Sequence, residues 1–115
     1  MKLDVVCFGA LNVDKIYRVN HIARADEESL ILDLKESPGG SAANTAVGLA
    51  RLGIKTGFIV KIAEDREGMV HLSAFSDEGV NTEGIKTVRN GRSGIVIGFV
   101  DPTGERAQYL DPGVN

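Results

Sequence analysis

The sequence predicts an α/β fold, and three features carry that expectation. An apolar, β-branched-rich run from Val5 to Leu11 opens the chain without alternation, and an alanine-rich stretch with helical spacing follows the doublet Gly39-Gly40. The order is then strand, loop, strand, helix, strand, helix, which is the α/β pattern. The composition suits one ordinary globular domain of 115 residues, 43% hydrophobic and 25% charged. Such a chain can bury about two-thirds of the surface its unfolded form exposes, enough for one core. A net charge of −3, with no Lys/Arg cluster and no Trp, argues against a nucleic-acid groove or an acidic-membrane surface as partner. A single cysteine excludes an intramolecular disulfide framework and a Cys-rich zinc site. Asp4 stands in front of the short first apolar run, and no later run approaches the roughly 18 residues of a spanning helix. The expectation is a cytoplasmic protein.

Taken in order, Val5 to Leu11 fits a strand covered on both faces, with Cys7 as a small buried hydrophobe. Arg24 to Glu28 is a polar loop. Ser29 to Glu36 sets Leu30, Leu32 and Leu34 against Asp33 and Lys35, the period of a strand with one wet face. Pro38-Gly39-Gly40-Ser41 breaks the chain. From Ala42 to Leu52 the residues Ala43, Ala46, Val47 and Ala50 form one helical stripe, small enough for the backbone to lie close to a sheet, and Gly53 ends it. Thr56 to Ile62 is a second buried-type strand. Asp65 suits the cap of a helix from Arg66 to Glu78, with Met69, Leu72 and Phe75 inward and Gly79 as the stop. Gly84 to Val88 is a short strand. Ser93 to Val100 and Arg106 to Leu110 form a hairpin about the turn Asp101-Pro102-Thr103-Gly104, and a loop follows to Asn115.

Few residues offer chemistry. Asn12 and Asp14 follow the first strand at alternate positions, where an amide and a carboxylate can point to one side and bond hydroxyl groups. They equally suit a turn leaving the strand. The Gly39-Gly40-Ser41 segment opens a helix, so free N–H groups and the positive dipole end suit an oxygen-rich ligand. It equally suits a tight turn with Ser41 as N-cap. Asn44, in the first helical turn, has its amide within reach of the same place. Two phosphate motifs fail: Gly9 stands alone where a dinucleotide fingerprint needs three glycines, and Ile54 separates Gly53 from Lys55 where a P-loop needs them adjacent. His21 and His71 lack ligand spacing and read as surface or structural histidines; Glu27-Glu28 and Glu64-Asp65 read as solvated loop and helix-start charges.

Together these pieces resemble the ribokinase-like (PfkB) family of carbohydrate and nucleoside kinases over nearly the whole chain. The stretch from Gly39 to Gly53 is most specific, looking like the family's N-terminal signature; Gly9, Asn12 and Asp14, then Asp65 with Gly68, Ser93-Gly94 and Gly113-Val114-Asn115 also match. Ala63 departs from it, standing where many members have Gly. The resemblance implies a Rossmann-like central sheet with helices plus a small β-sheet lid, with residues 1–115 as the N-terminal part of one domain and lid strands at about 16–36 and within 93–110. It implies that Asn12, Asp14, the Gly39-Gly40 backbone and Asn44 hold the hydroxyls of a sugar or nucleoside. It also implies ATP and Mg2+ as cofactors and a homo-oligomer, through lid strands or an exposed sheet edge. The family's catalytic Asp lies in a Gly-Ala-Gly-Asp segment that does not occur here, so this stretch by itself is expected to be inactive, as the substrate-side part of a kinase. The alternative is a non-catalytic binding or dimerisation module derived from the same fold.

Overall fold

A computed structural model describes residues 2–115. In chain order the elements are β1 (Val5–Phe8), β2 (Asn12–Val19), β3 (Ile31–Gly39), α1 (Ser41–Arg51), β4 (Thr56–Ala63), α2 (Arg66–Glu78), β5 (Ile85–Val88), β6 (Gly94–Val100) and β7 (Arg106–Asp111). They build two sheets. The first has order β1-β4-β5 and is parallel, with Cys7 opposite Phe58 and Val60 opposite Ile85. The second has order β3-β2-β6-β7, where β2 is antiparallel to β3 and parallel to β6, and β6 turns back antiparallel into β7.

Both helices cover one face of the parallel sheet, as the apolar stripes require. Phe58, Val60 and Ile62 of β4 meet Ala43 and Ala46 of α1 and Phe75 of α2 in one buried cluster that Leu11 and Val80 complete. The Phe58 and Phe75 rings lie 5.1 Å apart and tilted, a favourable aromatic geometry. Small residues let α1 settle on the sheet: a Cβ on Gly9 would stand 2.7 Å from that of Ala42. At its start the Asp65 side chain caps α2 by accepting from the Gly68 N–H, and at its end Gly79 adopts the left-handed conformation (φ 78°) that a non-glycine residue resists.

Several expectations need correction. The first apolar run is not one strand covered on both faces: β1 stops at Phe8, and its other face is open, with Phe8 80% exposed. Cys7 is accordingly half-buried against the core rather than enclosed. The opposite face of β4 at Ile59 is open too, because both helices lie on the same side. Asn12 and Asp14 form the first residues of β2 rather than a turn. Met69 faces outward, while Leu72 and Phe75 pack inward. The residue that caps α1 is Gly40, with φ 115° and no side-chain bond, so Ser41 is the first helical residue and not the cap.

The alternation of Leu30, Leu32 and Leu34 does not persist either. Leu34 pairs with Tyr17 and Asp33 with Arg18, but Ile31 pairs with Val19, so Leu32 is an extra residue in a bulge. The bulge moves Ile31 onto the face of Leu34, and all four apolar side chains from Leu30 to Leu34 remain exposed. The strands of this sheet also extend further than expected: β2 begins at Asn12, and β3 continues to Gly39. That extension carries the sheet to the glycine doublet.

Candidate functional site

The pairing of β2 with β3 builds the site. Asn12 lies opposite Gly39 and Asp14 opposite Ser37, so alternate residues of β2 share a face with the end of β3. On its other side β2 sets Asn12 beside Gly94 and Asp14 beside Val96. The approach is tight. A Cβ on Gly39 would stand 2.5 Å from Asp14 Oδ2 and 2.6 Å from Oδ1, and one on Gly40 would stand 2.6 Å from the Ala10 carbonyl oxygen. Gly40 is thus held in a backbone conformation open to glycine, and from it the chain enters α1.

Asp14 is half-buried, and among the described residues no hydrogen bond reaches its carboxylate. Burial pushes its pKa above the ordinary aspartate value. Asn12 is held differently. Its Oδ1 accepts from Asn115 Nδ2 at 3.0 Å, while Asn115 Oδ1 accepts from the Leu11 backbone N–H at 2.9 Å. The structure therefore brings Asn12, Asp14, Gly39 and Gly40 together. Asn44 donates its backbone N–H to the Gly40 carbonyl at 3.0 Å, but its side chain is exposed and lines a shallow groove between the helices with Pro38, Arg51 and Asp77.

The surroundings of this face are rigidly tied. On the opposite side of β2, Lys15 Nζ meets Glu67 Oε1 of α2 at 3.0 Å, and this bond, with its charge, draws the Glu67 pKa down despite partial burial. Asp65 is more than a solvated helix-start charge. Besides capping α2 it accepts from the Ser93 N–H at 2.7 Å and the Ser93 hydroxyl at 2.7 Å, and Ser93 Oγ accepts from the Ala63 N–H at 2.9 Å. Burial alone pushes the Asp65 carboxyl up; the Ser93 and Gly68 hydrogen bonds together outweigh it and hold it below the ordinary value. His71 of α2 is 1% exposed, with its Nε2 unpartnered; burial lowers its pKa against an opposing pull from the Asn12 backbone carbonyl. His71 is thus the structural histidine its sequence context suggests, and His21 is exposed, with its Nδ1 3.4 Å from the Ser29 hydroxyl.

Sequence reasoning missed the Asp65–Ser93 node and the Asn115 clasp as contacts. The signals were present as types, an Asp three residues before Gly68 and a Ser-Gly before a strand, but nothing local joins positions 28 or 104 residues apart. Among the described residues no three His, Cys, Asp or Glu side chains cluster closely enough to hold a metal between them. No helix among them is long and apolar enough to cross a membrane.

Residues 2–115 match the family model described as pfkB family carbohydrate kinase. The chain belongs to the pfkB family of carbohydrate kinases. It is 35% identical over 111 residues to an ATP-dependent ribose-1-phosphate kinase of Halopiger xanaduensis, a match that covers 96% of this chain and 38% of the relative. It is 34% identical over 115 residues to a ribokinase of Dictyostelium discoideum, covering all of this chain and 36% of that one. Among solved structures, Arabidopsis thaliana ribokinase complexed with ribose and ATP superposes with a TM-score of 0.91 at 24% identity, over 100% of this chain and 38% of that chain. Ribokinase of Thermotoga maritima gives 0.87 at 26% identity, over 98% and 37%. The PfkB chain described here thus spans little more than a third of these relatives, corresponding to the N-terminal part of sugar kinases. Its ribokinase-like fold joins a parallel α/β sheet to a four-stranded mixed sheet, the lid.

Proposed function

We propose that this chain is the substrate-binding and lid part of an ATP-dependent PfkB kinase that phosphorylates a hydroxyl of a sugar or nucleoside. The observation that carries this reading is the Asp14 carboxylate: half-buried, without a protein hydrogen bond, pressed against Gly39, and two residues from Asn12 on the same strand face. A half-buried carboxylate that no protein donor occupies keeps its acceptor sites open to a ligand, and sugar hydroxyls are suitable donors. The glycine doublet lets the ligand reach backbone N–H groups at the start of α1, and Asn44, exposed in the first turn of that helix, belongs to the same proposed set. Bound ATP and Mg2+ supply the phosphoryl group and neutralise its charge, through residues beyond these 115, so the stretch by itself is inactive. Self-association through the lid strands or an open sheet edge belongs to the same reading.

The test is calorimetric titration of the full-length protein with D-ribose, D-fructose and a set of nucleosides. Asp14→Ala removes an acceptor that, as a charged group, contributes about 1.5–3 kcal/mol per hydrogen bond, so the preferred ligand should bind roughly ten- to a hundredfold more weakly. ATP affinity should stay within twofold. Equal sugar affinity in the variant, or no ligand bound by the parent across the panel, overturns the reading.

A further inference from the structure

The orientation of the Asn12 amide follows from a chain of donors and acceptors that begins at an unambiguous atom. A backbone N–H only donates, so the Asn115 atom 2.9 Å from the Leu11 nitrogen is its oxygen. The other end of that amide, Nδ2, then faces Asn12 at 3.0 Å, and a donor there requires Asn12 to present Oδ1. The Asn12 Nδ2 group, with two N–H donors, is left directed away from Asn115. Gly94 makes this possible: a Cβ on it would collide with both Asn115 Nδ2 and Asn12 Oδ1. The segment carrying Asn115 is itself anchored. Val114 N–H donates to the Arg92 carbonyl at 2.9 Å, Arg92 pairs with Asp111, and Gly113 sits against the Arg92 backbone at φ 55°.

We infer that Asn115 is a positioning residue that locks the Asn12 side chain with its NH2 toward the ligand, so that the site offers one donor amide and one acceptor carboxylate on the same face of β2. The inference rests on the proposed sugar site. It sets a selectivity: the ligand group at Asn12 must accept a hydrogen bond while its neighbour at Asp14 donates one. A hydroxyl meets either demand. An ammonium group in place of the hydroxyl at Asn12 fails there, because it only donates and donor would face donor.

Asn115→Asp separates the lock from mere support. The new carboxylate still accepts from the Leu11 N–H but has no donor for Asn12 Oδ1, so the Asn12 amide turns its NH2 toward position 115 and its oxygen toward the ligand. Two measurements on the full-length protein decide the matter. The first is the side-chain amide pair of Asn12 in a nitrogen–proton NMR spectrum without ligand, assigned by its loss in Asn12→Asp. In Asn115→Asp this pair should move, and in Asn115→Gln, which keeps both a donor and an acceptor, it should stay closer to the parent. The second is the affinity for amino-substituted ribose analogues relative to D-ribose. For the analogue bearing its ammonium at Asn12 this should rise at least tenfold in Asn115→Asp, where Asn12 now presents an acceptor, and stay near the parent in Asn115→Gln, at an unchanged melting temperature. An Asn12 amide pair that does not move overturns the lock. A ratio of ammonium to hydroxyl affinity within twofold of the parent for every analogue, beside a shifted amide, overturns its effect on binding. If the parent binds no sugar at all, the proposed function fails, and the first measurement still decides the lock.

Discussion

Burial acts on the two titratable side chains Asp14 and His71 in opposite directions. The Asp14 carboxylate is pushed toward its protonated form by burial, which works against the acceptor role proposed for it. Gly39 gives it room, since any side chain at that position would occupy the space of the two carboxylate oxygens. Beneath the same strand, His71 is buried in neutral form beside the Asn12 carbonyl, with its pKa lowered below the ordinary histidine value. The unfolded chain takes up a proton near pH 6.5 that the folded chain resists, so stability is fully present above that pH and is lost as the pH falls below it. Urea unfolding at pH 7.5 and pH 5.5 should show this loss in the parent. In His71→Leu the difference between the two pH values should shrink, because the group responsible is gone. Asp65 and Glu67 are held below their ordinary values, so their contribution is lost only as the pH falls through and below the ordinary carboxylate range, and they do not imitate the effect. An equal loss in parent and variant would assign the pH dependence elsewhere.

Elements were legible where one local rule governs them. The helix α2 runs from Arg66 to Glu78 as its cap and stop dictate, because Asp65 and Gly79 act within one turn of the residues they terminate. The hairpin of β6 and β7 was legible from its Asp-Pro-Thr-Gly turn for the same reason. By contrast β2 was not read as a strand from its own residues, since Asn12, Asp14, Lys15 and Arg18 interrupt the apolar pattern and only pairing on both sides holds it extended. The bulge at Leu32 is equally silent, because an extra residue in a strand is set by its partner. The polar grips of the site were visible as residue types, but their convergence depends on the register that places Asn12 opposite Gly39. The junction between the two sheets is likewise a matter of contacts: Asp65, at the end of the β4 connection, holds the start of β6 through Ser93. Asp65→Ala leaves the N–H groups of Gly68 and Ser93 and the Ser93 hydroxyl without an acceptor. A lost cap and unsatisfied donors together should lower stability by about 2–4 kcal/mol in chemical denaturation. Asp65→Asn retains one acceptor oxygen and should lose less. A loss under 1 kcal/mol in Asp65→Ala would show that the sheets are joined by packing alone.

The molecule as a whole is spread out rather than closed on itself. Its radius of gyration is 16.1 Å and its extents are 53 × 33 × 18 Å, whereas a compact domain of this length has a radius near about 13 Å. The excess comes from the arrangement of layers: the helices cover one face of the parallel sheet, and the lid sheet projects from its end with neither face fully covered. Val6, Phe8 and Ile59 therefore form an open apolar face on the parallel sheet, and Ile31, Leu34 and Tyr109 another on the lid. Beside the first lies the free edge of β1, which pairs only with β4 among the described residues. Apolar surface and unpaired backbone at one place favour association more than either alone. The 115-residue chain should accordingly show a weight-average mass that rises with concentration in sedimentation experiments. Phe8→Ser combined with Ile59→Ser should return it to the monomer, because Phe8 contributes the most exposed large apolar side chain among the described residues. Those substitutions leave the buried cluster of Phe58, Val60 and Phe75 intact, so the fold should survive them. If the double variant still associates while Ile31→Ser with Tyr109→Ser does not, the lid is the contact surface. A parent that stays monomeric at high concentration would mean that neither open face is sticky enough to pair.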